Sequence, residues 1–265
     1  MTNGLNAMYT IWLREIWRFV RERERIVGMV GQPLLYLLII GKGISATMGI
    51  RGAPAGVDYV TFMYPGIVGM SILFTSIFSA VSVIWDREFG FLKEVLVAPV
   101  PRWAVALGKA LGGATVTTLQ TVILLVLAPF AGIRLTVGGV VEMLALAFLL
   151  SLALTSFGLA VASRMTSMQG FQMFMNFLIM PLFFLSGAMF PLTDRVPAWM
   201  RALMHVDPLT YGVDALRHAL YTGPVLEVMR AAQLVRFDLW TDIAVLAGLS
   251  LALSAIGTAA FSRAS

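Results

Sequence analysis

Apolar residues in this chain gather into long runs separated by short polar breaks, and the runs set the architecture. They cover about Ile26–Ile40, extendable to Ile50, then Thr61–Trp85, about Ala104–Ile133, Val137–Ala162, Met168–Phe190 and Trp240–Phe261. A helix needs about 20 apolar residues to cross a bilayer. The pattern therefore predicts an all-α integral membrane protein with six transmembrane helices. Pro33 predicts a tolerated kink in the first span and Pro181 a break in the fifth, because proline removes a backbone donor. Gly41-Lys42-Gly43 leaves the far end of the first span undefined.

Three stretches do not fit a crossing. Residues 1–25 place Leu5, Met8, Tyr9, Trp12, Ile16, Phe19 and Val20 on one helical face, and Arg14, Arg18, Arg21 and Arg25 on the other. This predicts an amphipathic helix in the interface plane with its arginines towards headgroups; packing on the protein itself is compatible with the same pattern. The stretch lacks the apolar centre of a signal peptide.

The second stretch, Asp86–Arg102, joins spans two and three and is longer than a simple turn requires. On a helix Trp85, Phe89, Leu92 and Leu96 share a narrow arc, and Arg87 and Glu94 point the other way. Asp86 suits an N-cap, and Pro99 with Pro101 forbids continuation past Ala98. A short amphipathic helix at a membrane face, gripped from outside the membrane, is predicted. In the third stretch, Thr193–Met204 reads as a short helix with Pro197 in its first turn, His205–Tyr211 as a turn, and Val213–Tyr221 as a second short helix. These form either an outer re-entrant pair or a surface cap. The chain reads as one transmembrane domain: interfacial helix 1–25, spans one to five in 26–190, the outer region 191–239, and span six in 240–262.

Composition narrows the class. The chain has 265 residues, 59% hydrophobic and only 12% charged, where a soluble domain carries about a quarter charged. Without cysteine there are no disulfides or thiolate metal sites. Arg14, Arg18, Arg21, Arg23, Arg25, Arg87, Lys93, Arg102, Lys109, Arg164 and Arg263 collect on one side, against Lys42, Arg51 and Arg134 in the opposite short loops. The positive-inside rule then places both termini and the amphipathic insertion in the cytoplasm. Basic charge here reads as orientation and lipid contact, not as nucleic-acid binding.

Candidate chemistry is sparse. His205 and His218 lack metal-binding spacing, and the G-x-x-x-x-G-K-[ST] and G-x-S-x-G loops are absent. No catalytic, cofactor or metal site is expected in this chain. Asp214 and His218, at i and i+4, read as a solvated helix face. Glu142 and Asp242 fall in the first turns of spans four and six, so the midplane is free of charge, unlike that of an ion-coupled transporter. An ion-coupled secondary transporter or channel, acting without an ATPase, is the alternative. Gly108-x-x-x-Gly112 permits close helix contact, within one subunit or between two. Span five is rich in methionine and phenylalanine, a surface adaptable to varied apolar ligands.

With these segments in place, the chain resembles the permease subunits of ABC type-2 exporters, closest to the daunorubicin-resistance and nodulation-factor exporters. The resemblance covers essentially the whole chain. It rests on the amphipathic N-terminal helix, Tyr64-Pro-Gly-Ile, the run from Asp86 through Glu94-Val-Leu-Val-Ala-Pro-Val-Pro-Arg102, Leu185–Leu192, and His205-Val-Asp-Pro-Leu-Thr-Tyr-Gly-Val-Asp-Ala-Leu-Arg-His218. It implies a multi-pass protein of a bacterial or archaeal cytoplasmic membrane, paired with a second permease copy or homologue. A separate cytosolic ABC ATPase binds ATP and Mg. The insertion is then a coupling helix whose contact residues are Arg87, Glu88, Phe89, Leu92, Lys93 and Glu94. Spans two and five line the path, with Phe74, Phe78, Phe171, Phe174, Met175, Phe177 and Met180 as candidates. The cargo implied is an amphipathic drug, a lipid or a lipid-linked glycan, moved outward.

Overall fold

A computed structural model describes residues 2–41, 59–90, 100–189, 196–231 and 233–264, which form helices and turns without a strand. Helix α1 (Thr2–Arg21) breaks at Glu22 and continues as α2 (Arg23–Leu35), which runs into a π-turn at Tyr36–Gly41. Then come α3 (Tyr59–Ser79), α4 (Val81–Glu88), α5 (Arg102–Leu127), α6 (Val137–Ala162) and α7 (Met168–Leu185). Three short helices follow, α8 (Ala198–Val206), α9 (Pro208–Leu220) and α10 (Pro224–Ala231), before the last long one, α11 (Leu239–Ala264).

Five of these stretches are long and apolar enough to cross a membrane: Val60–Glu88, Arg102–Leu127, Val137–Ala162, Met168–Leu185 and Leu239–Ser262. The apolar part of α2, Ile26–Leu35, is shorter. Six spans were expected, and five crossing-length helices stand among the described residues. Lys42, Arg51, Leu92, Lys93, Glu94, Pro99 and the stretch 190–195 lie outside them.

Helix α6 is the central post. Helices α11, α5, α3 and α9 all pack against it, and α1 lies along α5. The α3–α4 stretch is the most enclosed crossing, whereas α7 sits at the edge with most of its surface uncovered. The bundle has two distinct ends. One carries α1 and the end of α4; the other carries α9, which wedges between the starts of α3, α6 and α11.

Four local expectations are corrected. Asp86 is not an N-cap: α4 runs through it to Glu88, because its carboxylate is satisfied by basic side chains and not by the backbone N–H groups of a helix beginning there. Pro181 does not break span five. It sits in the closing turns of α7, which continues to Leu185, so one missing donor is a local loss. The 205–211 turn shrinks to Asp207. Pro208 takes the first position of α9, where its fixed φ suits a helix start, and Asp207 Oδ1 accepts the Leu209 N–H at 2.9 Å. Span three ends at Leu127 in a 3₁₀ turn, Ala128–Ala131, which closes on left-handed Gly132.

Candidate functional site

At the α1 end, one buried lysine organises a knot of charges. Lys109, in the second turn of α5, is 4% exposed. Its Nζ donates to Asp86 Oδ2 at 2.6 Å, to Ser82 Oγ at 3.0 Å and to Glu15 Oε1 at 3.3 Å. Arg14 Nη2 donates to Asp86 Oδ1 at 3.0 Å, and Arg18 lies 3.6 Å from the same oxygen. A buried ammonium is costly unless its hydrogens are all used. Here three partners take them.

Small residues bring the partners close. A Cβ on Gly108 would stand 2.8 Å from the Met8 carbonyl oxygen, and one on Gly112 would stand 2.7 Å from Glu15 Cβ. The Gly108-x-x-x-Gly112 motif therefore serves the contact between α1 and α5 of one chain. Arg14 and Arg18 turn towards Asp86. Leu5, Tyr9, Trp17 and Val20 remain exposed along the same helix.

The end of α4 divides the expected contact residues by direction. Arg87 Nη1 donates to Met165 O and its Nη2 to Ser163 O, each at 2.9 Å, tying α4 to the turn between α6 and α7. Trp85 Nε1 donates to Met168 Sδ at 3.0 Å. Glu88 and Phe89 face outward, and Phe89 is 83% exposed. Gly90 closes the described stretch at φ +77°, where a side chain would be strained. Asp86 and Arg87 anchor; Glu88 and Phe89 are presented.

Beside this knot lies a cavity of about 390 Å³ between α1–α2, α3–α4, α5 and α7. Glu15, Arg18 and Glu22 contribute charge, Tyr36, Met70, Phe74 and Phe78 an apolar wall, and Ser71, Thr75 and Gln120 a polar strip. Gln120 accepts from Thr75 Oγ1 and donates to the Met29 carbonyl, which fixes its amide. The volume falls in the range of small-molecule sites. Charge on one part and aromatic surface on another suit an amphipathic guest.

The path candidates do not converge on one surface within the chain. Phe74 and Phe78 line the cavity, their rings stacked at 6.2 Å. Phe171 and Met175 are fully buried in the core. Phe174, Phe177 and Met180 point outward from α7, with Met173 and Phe177 each 78% exposed.

At the opposite end, the expected solvated face of α9 is instead buried from Leu209 to Leu220. Burial pushes the Asp214 carboxyl above its ordinary range, against the pull of Arg217, the Phe237 and Arg236 N–H groups and His218. Asp214 accepts from Arg236 N and Phe237 N, Arg217 donates to Leu234 O and Gly187 O, and the Arg217 guanidinium stacks 4.6 Å over Phe62. Tyr221 donates to the Thr61 carbonyl. Burial likewise raises the Asp207 carboxyl to about 7. Sequence missed both clusters because partners 17 to 160 residues apart leave no local spacing. A lysine and an aspartate inside otherwise apolar helices were the available signal.

A family model described as ABC-2 type transporter matches residues 6–221. The chain is 29% identical over 218 residues to the inner membrane transport permease YadH of Escherichia coli K12, covering 80% of this chain and 82% of that one. It is 28% identical over 204 residues to the putative transport permease ycf38 of Cyanophora paradoxa, 75% and 70% of the two chains. Nodulation protein J of Rhizobium meliloti is 26% identical over 230 residues, 85% of each.

Proposed function

This chain belongs to the ABC-2 type transporter family, and on that premise we propose that it is the membrane-spanning permease subunit of an ATP-driven exporter. A separate cytosolic ABC ATPase binds and hydrolyses ATP with Mg. The chain works with a second permease copy in a bacterial or archaeal cytoplasmic membrane, its termini in the cytoplasm, and moves an amphipathic drug, lipid or lipid-linked glycan outward.

One observation carries this reading: Phe89, a large apolar side chain almost fully exposed, stands two residues past Asp86 and Arg87, the pair locked into the bundle. An exposed phenylalanine beside Glu88 has the chemistry of a docking point for a soluble partner. Force applied there passes through Asp86 to α1 and α5, and through Arg87 to the α6–α7 turn. The helices then move as rigid bodies when the ATPases close. The cavity beside the knot fits the entry of an amphipathic substrate, and the uncovered Met173 and Phe177 face of α7 suits the second permease.

Transport into proteoliposomes containing permease, with and without its ATPase, tests the proposal. Accumulation should require both the ATPase and hydrolysable ATP. Accumulation driven by an ion gradient with the permease alone would contradict it and favour an ion-coupled transporter.

A further inference from the structure

Three ligand-bearing groups meet where α9 packs on the start of α11. Asp214, His218 and Asp242 each offer one ligand atom, and these atoms lie within 4.8 Å of one another. All three side chains are buried, and Asp242 is 0% exposed. Neither Asp242 carboxylate oxygen has a hydrogen-bond partner among the described residues. A buried carboxylate left bare on both oxygens is unusual and calls for an occupant.

The terminal nitrogens of Arg217 and the Tyr211 hydroxyl are committed elsewhere, while Arg217 Nε has no partner among the described residues. Arg217 gives its terminal nitrogens to Leu234 O at 3.0 Å and Gly187 O at 2.7 Å, and stands 4.0 Å from Asp214 Oδ1, beyond hydrogen-bond length. The Tyr211 hydroxyl donates to His205 O at 2.9 Å. His218 Nε2 lies 3.0 Å from the Phe237 carbonyl oxygen. A carbonyl can only accept, so Nε2 carries the hydrogen, and in the neutral ring Nδ1 is left as a bare lone pair. A backbone carbonyl holding one ring nitrogen so that the other is free is the usual support of a metal-binding histidine.

Asp214 keeps acceptor capacity too. A carboxylate has about four lone-pair sites, and its two backbone donors, Arg236 N and Phe237 N, come from the chain leading into α11. The group is thus two carboxylates and one imidazole, with no hydrogen bond to the Asp242 carboxylate among the described residues.

We propose that Asp214, His218 and Asp242 form a site for one divalent transition-metal ion of the zinc type, fastening α9 to the first turn of α11. Mixed imidazole and carboxylate ligands favour zinc over calcium or magnesium, which take all-oxygen shells. Metal–ligand bonds of about 2.0–2.2 Å put neighbouring ligand atoms roughly 3–3.6 Å apart, so the side chains close by up to about 1–2 Å on binding. Three protein ligands leave a fourth position for water. The i, i+4 spacing of Asp214 and His218 puts both on one face of α9, and α11 supplies the third ligand from a distant part of the chain. The site does not depend on the transport reading.

Full-length protein, purified in detergent and stripped with chelator, is given zinc chloride. The bound metal is counted by elemental analysis after gel filtration, and Tm is followed by intrinsic fluorescence. One zinc per chain and a Tm rise of roughly 5 °C are expected. Asp242→Asn should lose stoichiometric zinc and the rise, with an affinity loss beyond the roughly 10–100-fold seen when only a supporting group is removed. His218→Gln gives the same reading should Asp242→Asn fail to fold. Cobalt(II) should produce a visible d–d band in the wild type that His218→Gln abolishes. Zinc retained equally by the Asp214→Asn/His218→Gln/Asp242→Asn variant overturns the site. So does a wild type that neither binds zinc nor responds to it while Asp242→Asn raises Tm unaided, which would mark the group as a protonated carboxyl.

Discussion

The Lys109 ammonium lies 2.6 Å from the Asp86 carboxylate, with the two side chains 3% and 4% exposed. The pair joins the end of one crossing to the start of the next across the loop proposed to receive the ATPase. Removing either partner strands a buried charge, and such losses cost about 3–5 kcal/mol. Asp86→Asn and Lys109→Met should each lower Tm markedly, while the double variant loses far less than the sum. A double-mutant cycle by thermal unfolding in detergent measures the difference. Additive losses would show that the pair does not act as a unit.

Arg87 acts differently, through two charge-assisted hydrogen bonds to carbonyls at the α6–α7 turn. Arg87→Ala should destabilise that turn by about 2 kcal/mol without disturbing the Lys109 knot. Hydrogen exchange should rise around Ser163–Met168 and stay unchanged in α1. Glu88→Arg, on the exposed side, should leave exchange at both places as it was.

Two glycines separate close packing from open surface. A Cβ on Gly108 meets backbone at 2.8 Å, while one on Gly248 meets nothing within 4 Å. Gly108→Ala should therefore push α1 away from α5 and destabilise by about 1–3 kcal/mol. Gly248→Ala should be neutral or stabilising by up to about 1 kcal/mol, from helix propensity alone. Thermal unfolding of the two variants side by side decides it.

Asp207 makes the α8–α9 corner sensitive to pH. Its carboxyl titrates at about 7 in the fold against 3.8 in its ordinary state, so the folded state holds the proton more tightly than the unfolded one. That contribution is fully present below pH 3.8 and is lost as pH rises through 7. Local stability at this corner should fall between pH 3.8 and about 7. Asp207→Asn, which keeps a cap acceptor for Leu209 N–H, should flatten the dependence in pH-resolved proteolysis or exchange.

Much of this architecture was legible in the sequence, for physical reasons that apply residue by residue. Val137–Ala162 was bounded correctly because Thr136 caps one end and a polar turn at Ser163 and Arg164 ends the other. The family was legible because its motifs are contiguous stretches, and the match over residues 6–221 upholds that resemblance. Asp86 was misread because a single aspartate after an apolar run looks alike whether it caps a new helix or neutralises a lysine 23 residues on. The face of α9 was misread because Asp214, Arg217 and His218 look solvated until α3, α6 and α11 are seen to cover them. The third short helix, Pro224–Ala231, was not foreseen. Its proline opening was visible, but no long apolar stretch drew attention to it.

The proposed coupling can be tested most directly by cross-linking from position 89. The natural chain has no cysteine, so Phe89→Cys introduces a single thiol at the exposed tip of α4. In membranes containing the permease and its ABC ATPase, a short bifunctional maleimide–amine reagent should join position 89 to the ATPase, with a yield that changes on adding ATP. Full labelling of that thiol by an impermeant reagent from the external face of sealed cells, with no cross-link to the ATPase, would contradict the proposal.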